Sequence, residues 1–314
     1  MELRKECMGT ERIGISGHIR PDGDCVGSCL GLYLYLKKSF PQCEVKVFLE
    51  NPPEIFAEIE GFDEICSEGT ADVYDVFFAL DCSADRLGDF QPMFENAKRK
   101  INIDHHISNT GCGDVNYIDA KASSTAELIY DLIGEEGLDE AIAKALYIGI
   151  IHDCGVFQYS CTSPKTMMAG AKLMSMVPDF PRIIEETFYQ RTYVQTQIMG
   201  RALMESIRFM DGACIVSCVS KKEMDFYEVT SKDLDGIVNQ LRNIKGVHCA
   251  IFMYETDVLE FKVSMRSDEK VDVAQVASYF GGGGHMRAAG CTMKGTFHDC
   301  VNNLSLHIAK QLEG

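Results

Sequence analysis

Short apolar segments that end in turns rich in aspartate and histidine constrain the fold of this chain more than any other feature. Arg12–Ser16, Val73–Leu80 and Lys100–Ile103 have the composition of buried strands. Stretches with helical spacing separate them, beginning with Cys25–Lys38. This alternation predicts an α/β domain built on a mostly parallel sheet.

The remainder of the chain contains a second alternating block. Its strand-like segments are Ala213–Val219, His248–Tyr254 and Leu259–Met265, and its helical segments are Ser231–Asn243, Val271–Phe280 and His298–Leu312. A chain of 314 residues is longer than one hydrophobic core usually serves. We therefore expect a larger domain at residues 1–190 and a smaller, mixed-sheet domain at residues 210–314. Thr192–Phe209 reads as one helix, which makes residues 191–209 a helical connector.

Charge and hydropathy exclude several classes of protein. Lys and Arg number 30 against 47 Asp and Glu, a net charge of −17, so tight non-specific binding of long duplex DNA is not expected. The most apolar stretch, Val26–Leu36, is too short to cross a membrane, and the first residues lack the apolar core of a signal peptide. The fourteen cysteines form no C-x-x-C pair, so we expect buried thiols in a reducing, cytoplasmic setting.

Four turns carry the aspartates and histidines that suggest chemistry. They contain His18, Asp22 and Asp24; Asp81; Asp104, His105 and His106; and Asp153. Ordinary structural explanations exist: Asp24 or Asp81 could cap a helix, and the Asp-His-His run could be a solvated loop. Three of the turns, however, end separate predicted strands, and the ends of parallel strands meet at one edge of a sheet.

Gathering this many carboxylates at one edge requires a counter-charge. Neighbouring carboxylates repel one another and raise each other's pKa, and a divalent metal ion removes this conflict. Imidazole and carboxylate ligands without thiolate suit Mn²⁺ or a related ion better than a structural zinc. The ligands suffice for two ions that share a bridging carboxylate, as in phosphoryl-transfer hydrolases.

The same motifs resemble those of the DHH phosphoesterase superfamily over nearly the whole chain. The H-x-x-x-D-x-D block falls at 18–24, the lone acid at Asp81, the Asp-His-His triplet at 104–106 and the D-T/C-G-x-F motif at 153–157. Cys154 stands where many relatives have threonine. The run GGGHMRAAG at 282–290 resembles the associated DHHA1 domain. The length resembles that of the bacterial nano-RNase and pAp-phosphatase branch.

This resemblance implies a set of metal ligands and catalytic residues. His18 and Asp22 would bind one Mn²⁺, and Asp24, His105 and Asp153 the other, with Asp81 bridging the two ions. Mg²⁺ or Co²⁺ are possible substitutes. Asp104 would orient a histidine, and His106 would face the scissile phosphate. His152 has no implied role, and we interpret it as structural.

The second domain is implied to bind substrate across an interdomain cleft. Glycine-rich backbone can cradle a phosphate, and His285 and Arg287 directly after the run favour this interpretation over a flexible linker. The implied substrate contacts are Ser264, Arg266, Gly283, Gly284, His285 and Arg287, together with His106.

The function implied is that of a bimetal-dependent oligoribonuclease and bisphosphate nucleotidase. A hydroxide activated by the two metals would cleave short RNA or DNA to 5′-mononucleotides and pAp to AMP and phosphate. Hydrolysis of pApA, cyclic dinucleotides, pyrophosphate or polyphosphate is the alternative within enzymes. A non-catalytic nucleotide-binding module is the alternative outside them. A homodimer is left open.

Overall fold

A computed structural model describes residues 2–312 of the chain. The folded chain divides between Gln190 and Arg191 into two compact units, which we call the N-terminal and C-terminal units. Within residues 2–312, no helix is long and apolar enough to cross a membrane. All fourteen cysteines are free thiols, and none of their side chains is fully exposed.

The N-terminal unit is built on a five-stranded sheet in the order β2-β1-β3-β4-β5. Its strands are β1 Arg12–Ser16, β2 Glu44–Phe48, β3 Val76–Leu80, β4 Arg99–Asp104 and β5 Val115–Ile118. Every neighbouring pair is parallel, which confirms the predicted parallel sheet. Because all five strands run the same way, their carboxyl ends and the turns that follow them share one edge.

Seven helices accompany this sheet in the described part of the chain. They are α1 Leu3–Glu6, α2 Gly23–Ser39, α3 Gln91–Asn96, α4 Thr125–Ile133, α5 Glu140–Asp153, α6 Pro164–Met176 and α7 Phe180–Ile184. Helix α5 is buried at nearly every position from Ile142 to Ile151 and packs against α2, α4 and α6. Glycine makes the closest of these contacts possible, since a Cβ on Gly27 of α2 would lie 2.5 Å from the Ala145 carbonyl oxygen.

The C-terminal unit has a six-stranded mixed sheet in the order β10-β11-β9-β8-β7-β6. Its strands are β6 Ile207–Phe209, β7 Cys214–Val219, β8 Cys249–Asp257, β9 Glu260–Ser267, β10 Gly283–His285 and β11 Ala288–Lys294. Its helices are α8 Tyr193–Met204, α9 Lys221–Tyr227, α10 Ile237–Arg242, α11 Val273–Ser278 and α12 Phe297–Leu312. Only β7 and β8 pair in parallel, so the predicted mixed sheet is confirmed.

Three predicted segments differ from the structure in type or continuity, whereas others, such as Val73–Leu80, which is a strand only from Val76, differ at their ends. The helix expected over Thr192–Phe209 ends at Met204, because Ile207–Phe209 pairs with β7 as an edge strand. The helix expected over Ser231–Asn243 is divided by Gly236, whose left-handed φ of +79° ends one turn and starts α10. The glycine run is partly ordered as β10 rather than being a simple break.

Candidate metal centre

The turn between β1 and α2 places two of the expected ligands. Asp22 is the N-cap of α2, and its Oδ1 accepts hydrogen bonds from the backbone N–H groups of Asp24 and Cys25, each at 3.1 Å. The alternative in which Asp24 caps this helix is therefore wrong. Because Asp22 satisfies the helix end, the Asp24 carboxylate is available for other partners.

His18 is held in the tautomer that suits a metal ligand. Its ring is buried, with 6% of the side chain exposed. Nδ1 lies 2.9 Å from the Ile19 carbonyl oxygen, which can only accept, so Nδ1 carries the proton. Nε2 lies 3.4 Å from Asp81 Oδ2 and 3.7 Å from Asp22 Oδ1. A backbone partner on one ring nitrogen commonly fixes the other for a metal ion.

Asp81 lies at the middle of the cluster, directly after β3. Its φ is +60°, and its N–H donates to the Ile103 carbonyl at 3.0 Å, which fixes the turn. Oδ2 faces His18, whereas Oδ1 lies 3.5 Å from His105 Nε2 and accepts the Thr125 hydroxyl at 3.0 Å. Oδ2 of this buried carboxylate thus faces His18, whereas Oδ1 faces His105 and also lies 3.6 Å from His106 Nδ1.

Asp24 is buried at the first turn of α4. Its Oδ2 accepts the Thr125 N–H at 2.6 Å, and its Oδ1 accepts the Ala126 N–H at 2.8 Å. Burial raises the pKa of Asp24 well above its usual value, and repulsion from Asp81 and Asp153 adds to the shift. The hydrogen bonds lower the pKa but do not cancel these effects, so an added cation would stabilise the charged form.

His105 gathers three carboxylates around one nitrogen. Its Nε2 lies 3.3 Å from Asp153 Oδ2, 3.5 Å from Asp81 Oδ1 and 3.9 Å from Asp24 Oδ2. Asp153 is the last residue of α5. Burial, with repulsion from Asp81, raises the pKa of Asp153 to about 6 despite the attraction of His105.

Asp104, at the end of β4, holds His106 rather than His105. Its Oδ1 lies 2.7 Å from His106 Nδ1 and 3.0 Å from the His106 backbone nitrogen, and its Oδ2 accepts the Asn109 amide at 2.5 Å. Burial would raise the pKa of Asp104, but the hydrogen bonds from His106 and Asn109 outweigh it and lower the pKa. Asn109 also donates to Asn102 at 3.0 Å, which anchors this group to β4.

Sequence reasoning missed two supports of the centre. Thr125 and the first N–H groups of α4 bind the carboxylates, and Asn109 fixes Asp104. The sequence did indicate the helix start that provides Thr125 and these N–H groups. The Ser-Ser-Thr run at 123–125 is typical of a helix N-terminus, and Ser124 is the N-cap of α4. Nothing in the sequence distinguished Asn109 from an ordinary loop residue.

His152 lies next to the centre in sequence but has a structural partner. The Thr187 hydroxyl donates to the Ile183 carbonyl at 2.8 Å, so at the 3.0 Å contact with His152 it accepts from Nε2. Burial lowers the pKa of His152 to about 4, which keeps the ring neutral. This geometry agrees with the interpretation of His152 as structural.

The donor set fits divalent cations. Groups whose donor atoms lie within 4.8 Å of one another are Asp24, His105 and Asp153; Asp81, Asp104, His105 and His106; and His18, Cys25 and Asp81. Cys25 provides the one sulfur in these groups, and burial raises the pKa of its thiol well above its usual value, which opposes the thiolate form. What remains is imidazole and carboxylate, the donors that suit manganese and related ions.

The substrate residues expected in the C-terminal unit form a separate group around β11. Ser264 and Arg266 of β9 pair with Gly290 and Ala288 of β11, while β10 with Gly283, Gly284 and His285 pairs with its other side. Gly284 has a φ of +144°, and a Cβ there would lie 2.5 Å from the Ala288 carbonyl oxygen. Arg287, in the turn between β10 and β11, lies 3.5 Å from Glu269.

Comparison with known proteins agrees with this geometry. The model of the DHH family N-terminal domain matches residues 12–150, and that of the DHHA1 domain matches residues 211–313. A Streptococcus mutans protein named probable bifunctional oligoribonuclease and PAP phosphatase NrnA is 30% identical over 89% of each chain. The chain belongs to the DHH family. The resemblance predicted from the motifs is thereby confirmed.

A second curated relative and a solved structure extend the comparison. A Thermus thermophilus bifunctional oligoribonuclease and PAP phosphatase NrnA is 29% identical, over 90% of this chain and 84% of its own. The crystal structure of an exopolyphosphatase-related protein from Bacteroides fragilis matches 99% of this chain and 95% of its own, with a TM-score of 0.91 at 25% identity. DHH phosphoesterases are metal-dependent hydrolases, and the acidic and histidine cluster of this chain is consistent with that chemistry.

Proposed function

We propose that this DHH-family chain hydrolyses short single-stranded oligonucleotides to 5′-mononucleotides and pAp to AMP and phosphate. The observation that carries the proposal is the position of Asp81, whose two oxygens face His18 on one side and His105 on the other. The substrate class is supported by the names of the relatives, which are oligoribonucleases and PAP phosphatases. Because the thiols are free, we place the enzyme in the reducing cytoplasm.

The proposed cofactor is a pair of Mn²⁺ ions, for which Mg²⁺ or Co²⁺ could substitute. His18 and Asp22 would hold one ion. Asp24, His105 and Asp153 would hold the other, and Asp81 would contact both. When bound, such ions supply the Lewis acidity that polarises a phosphoryl group and lowers the pKa of water towards neutrality.

The protein's own groups position the substrate around these ligands. Asp104 holds the His106 ring through Nδ1, and we assign the other ring nitrogen to a phosphoryl oxygen. In the C-terminal unit we assign substrate binding to Ser264, Arg266, Gly283, Gly284, His285 and Arg287, with His285 and Arg287 directed at the oxygens of the scissile phosphate. Arg266 and Arg287 would provide permanently charged, forked contacts.

A product assay with Mn²⁺ tests the proposal. The panel is pAp, pApA, RNA and DNA of two to five nucleotides, a longer RNA, cyclic dinucleotides and pyrophosphate. We expect mononucleotides from the short oligomers and AMP from pAp. Turnover of pyrophosphate or cyclic dinucleotides alone would overturn the substrate class but keep the metal chemistry. Absence of all turnover with any divalent metal would favour a nucleotide-binding module.

Asp81→Asn is the matched inactive variant for this assay. Asparagine tolerates a positive φ, so the turn after β3 is preserved while the charge between the two histidines is removed. We expect loss of turnover with unchanged thermal stability. Full activity of Asp81→Asn would exclude a bridging role for this carboxylate.

A further inference from the structure

An open cavity of about 550 Å³ lies beside the metal centre in the N-terminal unit. Its walls are the turn after β3, including Ser83, Asp85 and Arg86, and the turn after β4, including Ser108, Asn109 and Thr110. The volume is within the range of about 300–1,000 Å³ that small-molecule sites occupy. No residue assigned above to catalysis or substrate binding lines it.

Two hydrogen bonds connect the cavity walls to the metal centre. Asn109 lines the cavity and donates to Asp104, which holds His106. On the other wall, the Arg86 carbonyl accepts the Ile19 N–H at 2.8 Å, one residue after His18. The cavity is therefore connected to the metal centre through Asn109 and Asp104 on one wall and through the residue after His18 on the other.

Arg86 is the only cationic side chain among the lining residues. Within residues 2–312 its guanidinium has no hydrogen-bond or ion-pair partner, although the chain has an excess of 17 acidic groups. The acidic residue beside it, Asp85, is engaged by the Ser83 hydroxyl at 2.5 Å. Arg20 also lacks a partner in the described chain, but it does not line the cavity.

The remaining lining groups indicate what an anion there would carry. Ser108 and Thr110 are exposed, and neither side chain donates or accepts a hydrogen bond in the described chain. The side-chain amide of Asn109 already donates to Asn102 and Asp104 and accepts the Gly111 N–H. A forked cation with two available hydroxyls suits a phosphate attached to a sugar, since arginine can hold two phosphate oxygens at once.

We propose that this cavity binds the nucleotide next to the scissile phosphate, with that nucleotide's own, uncleaved phosphate on Arg86. The inference rests on the proposed function, because it places a second phosphate of the same substrate. Substrates with two phosphates, such as pAp or a 5′-phosphorylated dinucleotide, use the cavity. Substrates with a single phosphodiester, such as bis(p-nitrophenyl) phosphate, do not.

The test compares steady-state kinetics of these three substrates for the wild-type enzyme and the Arg86→Gln, Arg86→Lys and Arg99→Gln variants. Arg86→Gln should raise KM for pAp and the dinucleotide about tenfold, as expected for loss of a charged hydrogen bond. The same substitution should leave kcat and KM for bis(p-nitrophenyl) phosphate unchanged. The KM of Arg86→Lys for pAp and the dinucleotide should lie between the values for the wild type and Arg86→Gln. Arg99→Gln removes the same charge at the opposite edge of the sheet and should match the wild type.

A binding measurement separates this inference from the proposed function. Fluorescence anisotropy of a labelled 5′-phosphorylated dinucleotide on EDTA-treated protein does not depend on turnover, and Arg86→Gln should weaken binding about tenfold. Equal binding by wild type and Arg86→Gln would overturn the cavity assignment, whatever the enzyme hydrolyses. An equal loss for all three substrates would also overturn it, because Arg86 would then support the fold or the chemistry. Failure of the wild type on pAp and oligonucleotides overturns the proposed function alone.

Discussion

The buried carboxylates of the metal centre are held by N–H and O–H donors, not by lysine or arginine. Asp24 accepts two backbone N–H groups of α4, Asp81 accepts the Thr125 hydroxyl, and Asp104 accepts from His106 and Asn109. Such donors orient a carboxylate without neutralising its charge. The negative charge therefore stays available to cations that bind from solution.

Asp104 fixes the orientation of the His106 ring. In Asp104→Asn, one oxygen must satisfy contacts that two oxygens now share, so His106 loses its fixed orientation. We expect kcat to fall about 10- to 100-fold, the usual effect of losing such a support. Metal content measured by plasma mass spectrometry should be unchanged. A loss of bound metal equal to the loss of activity would instead make Asp104 a ligand.

Individual elements show how far the sequence alone could predict the structure. The bounds of β1 match the predicted strand Arg12–Ser16, whose last four residues are buried between the neighbouring parallel strands of the sheet. The choice between Asp22 and Asp24 as helix cap was not predictable, since it depends on the backbone angles of one turn. The edge strand β6 was missed because three residues carry too little periodicity to outweigh a preceding helix.

The centre was more predictable than its supports. Aspartate and histidine at strand ends are chemically conspicuous, and the parallel topology forces them together. The residues that hold these ligands in place could not be predicted in the same way. Thr125 lies 44 positions after Asp81 in the sequence, so their hydrogen bond depends on how α4 packs and not on any local sequence pattern.

Helices α2 and α5 pack closely at Gly27. Gly27→Ala would place a Cβ 2.5 Å from a backbone oxygen of α5, which cannot move without displacing the helix. Since α2 carries Asp24 and α5 carries Asp153, we expect weaker metal binding by calorimetry. The free energy of unfolding in urea should fall by about 1–3 kcal/mol.

Gly200→Ala, in α8, is the matched control for this change. A Cβ at Gly200 meets no atom within 4 Å, so the variant should be as stable as the wild type or up to about 1 kcal/mol more stable. If Gly27→Ala unfolded with the same urea midpoint as the wild type, the packing argument would be wrong.

The net charge of the chain restricts the substrates that it can bind. With a net charge of −17, the chain should not retain a long duplex DNA in a gel-shift assay at about 0.15 M salt, because phosphate attraction requires many clustered cations. The same preparation should still hydrolyse di- and trinucleotides. Saturable binding of the duplex at micromolar protein would show that a basic surface outweighs the net charge.

The burial of α5 on all sides has a consequence for synthesis of the protein. This apolar helix leaves the ribosome before α6, which packs against it and begins only at Pro164. A nascent chain that stops between these helices exposes apolar surface that chaperones bind and that favours aggregation. The last residue of α5 is Asp153. The catalytic edge of the sheet is therefore begun early in translation but can be completed only after its late helices have emerged.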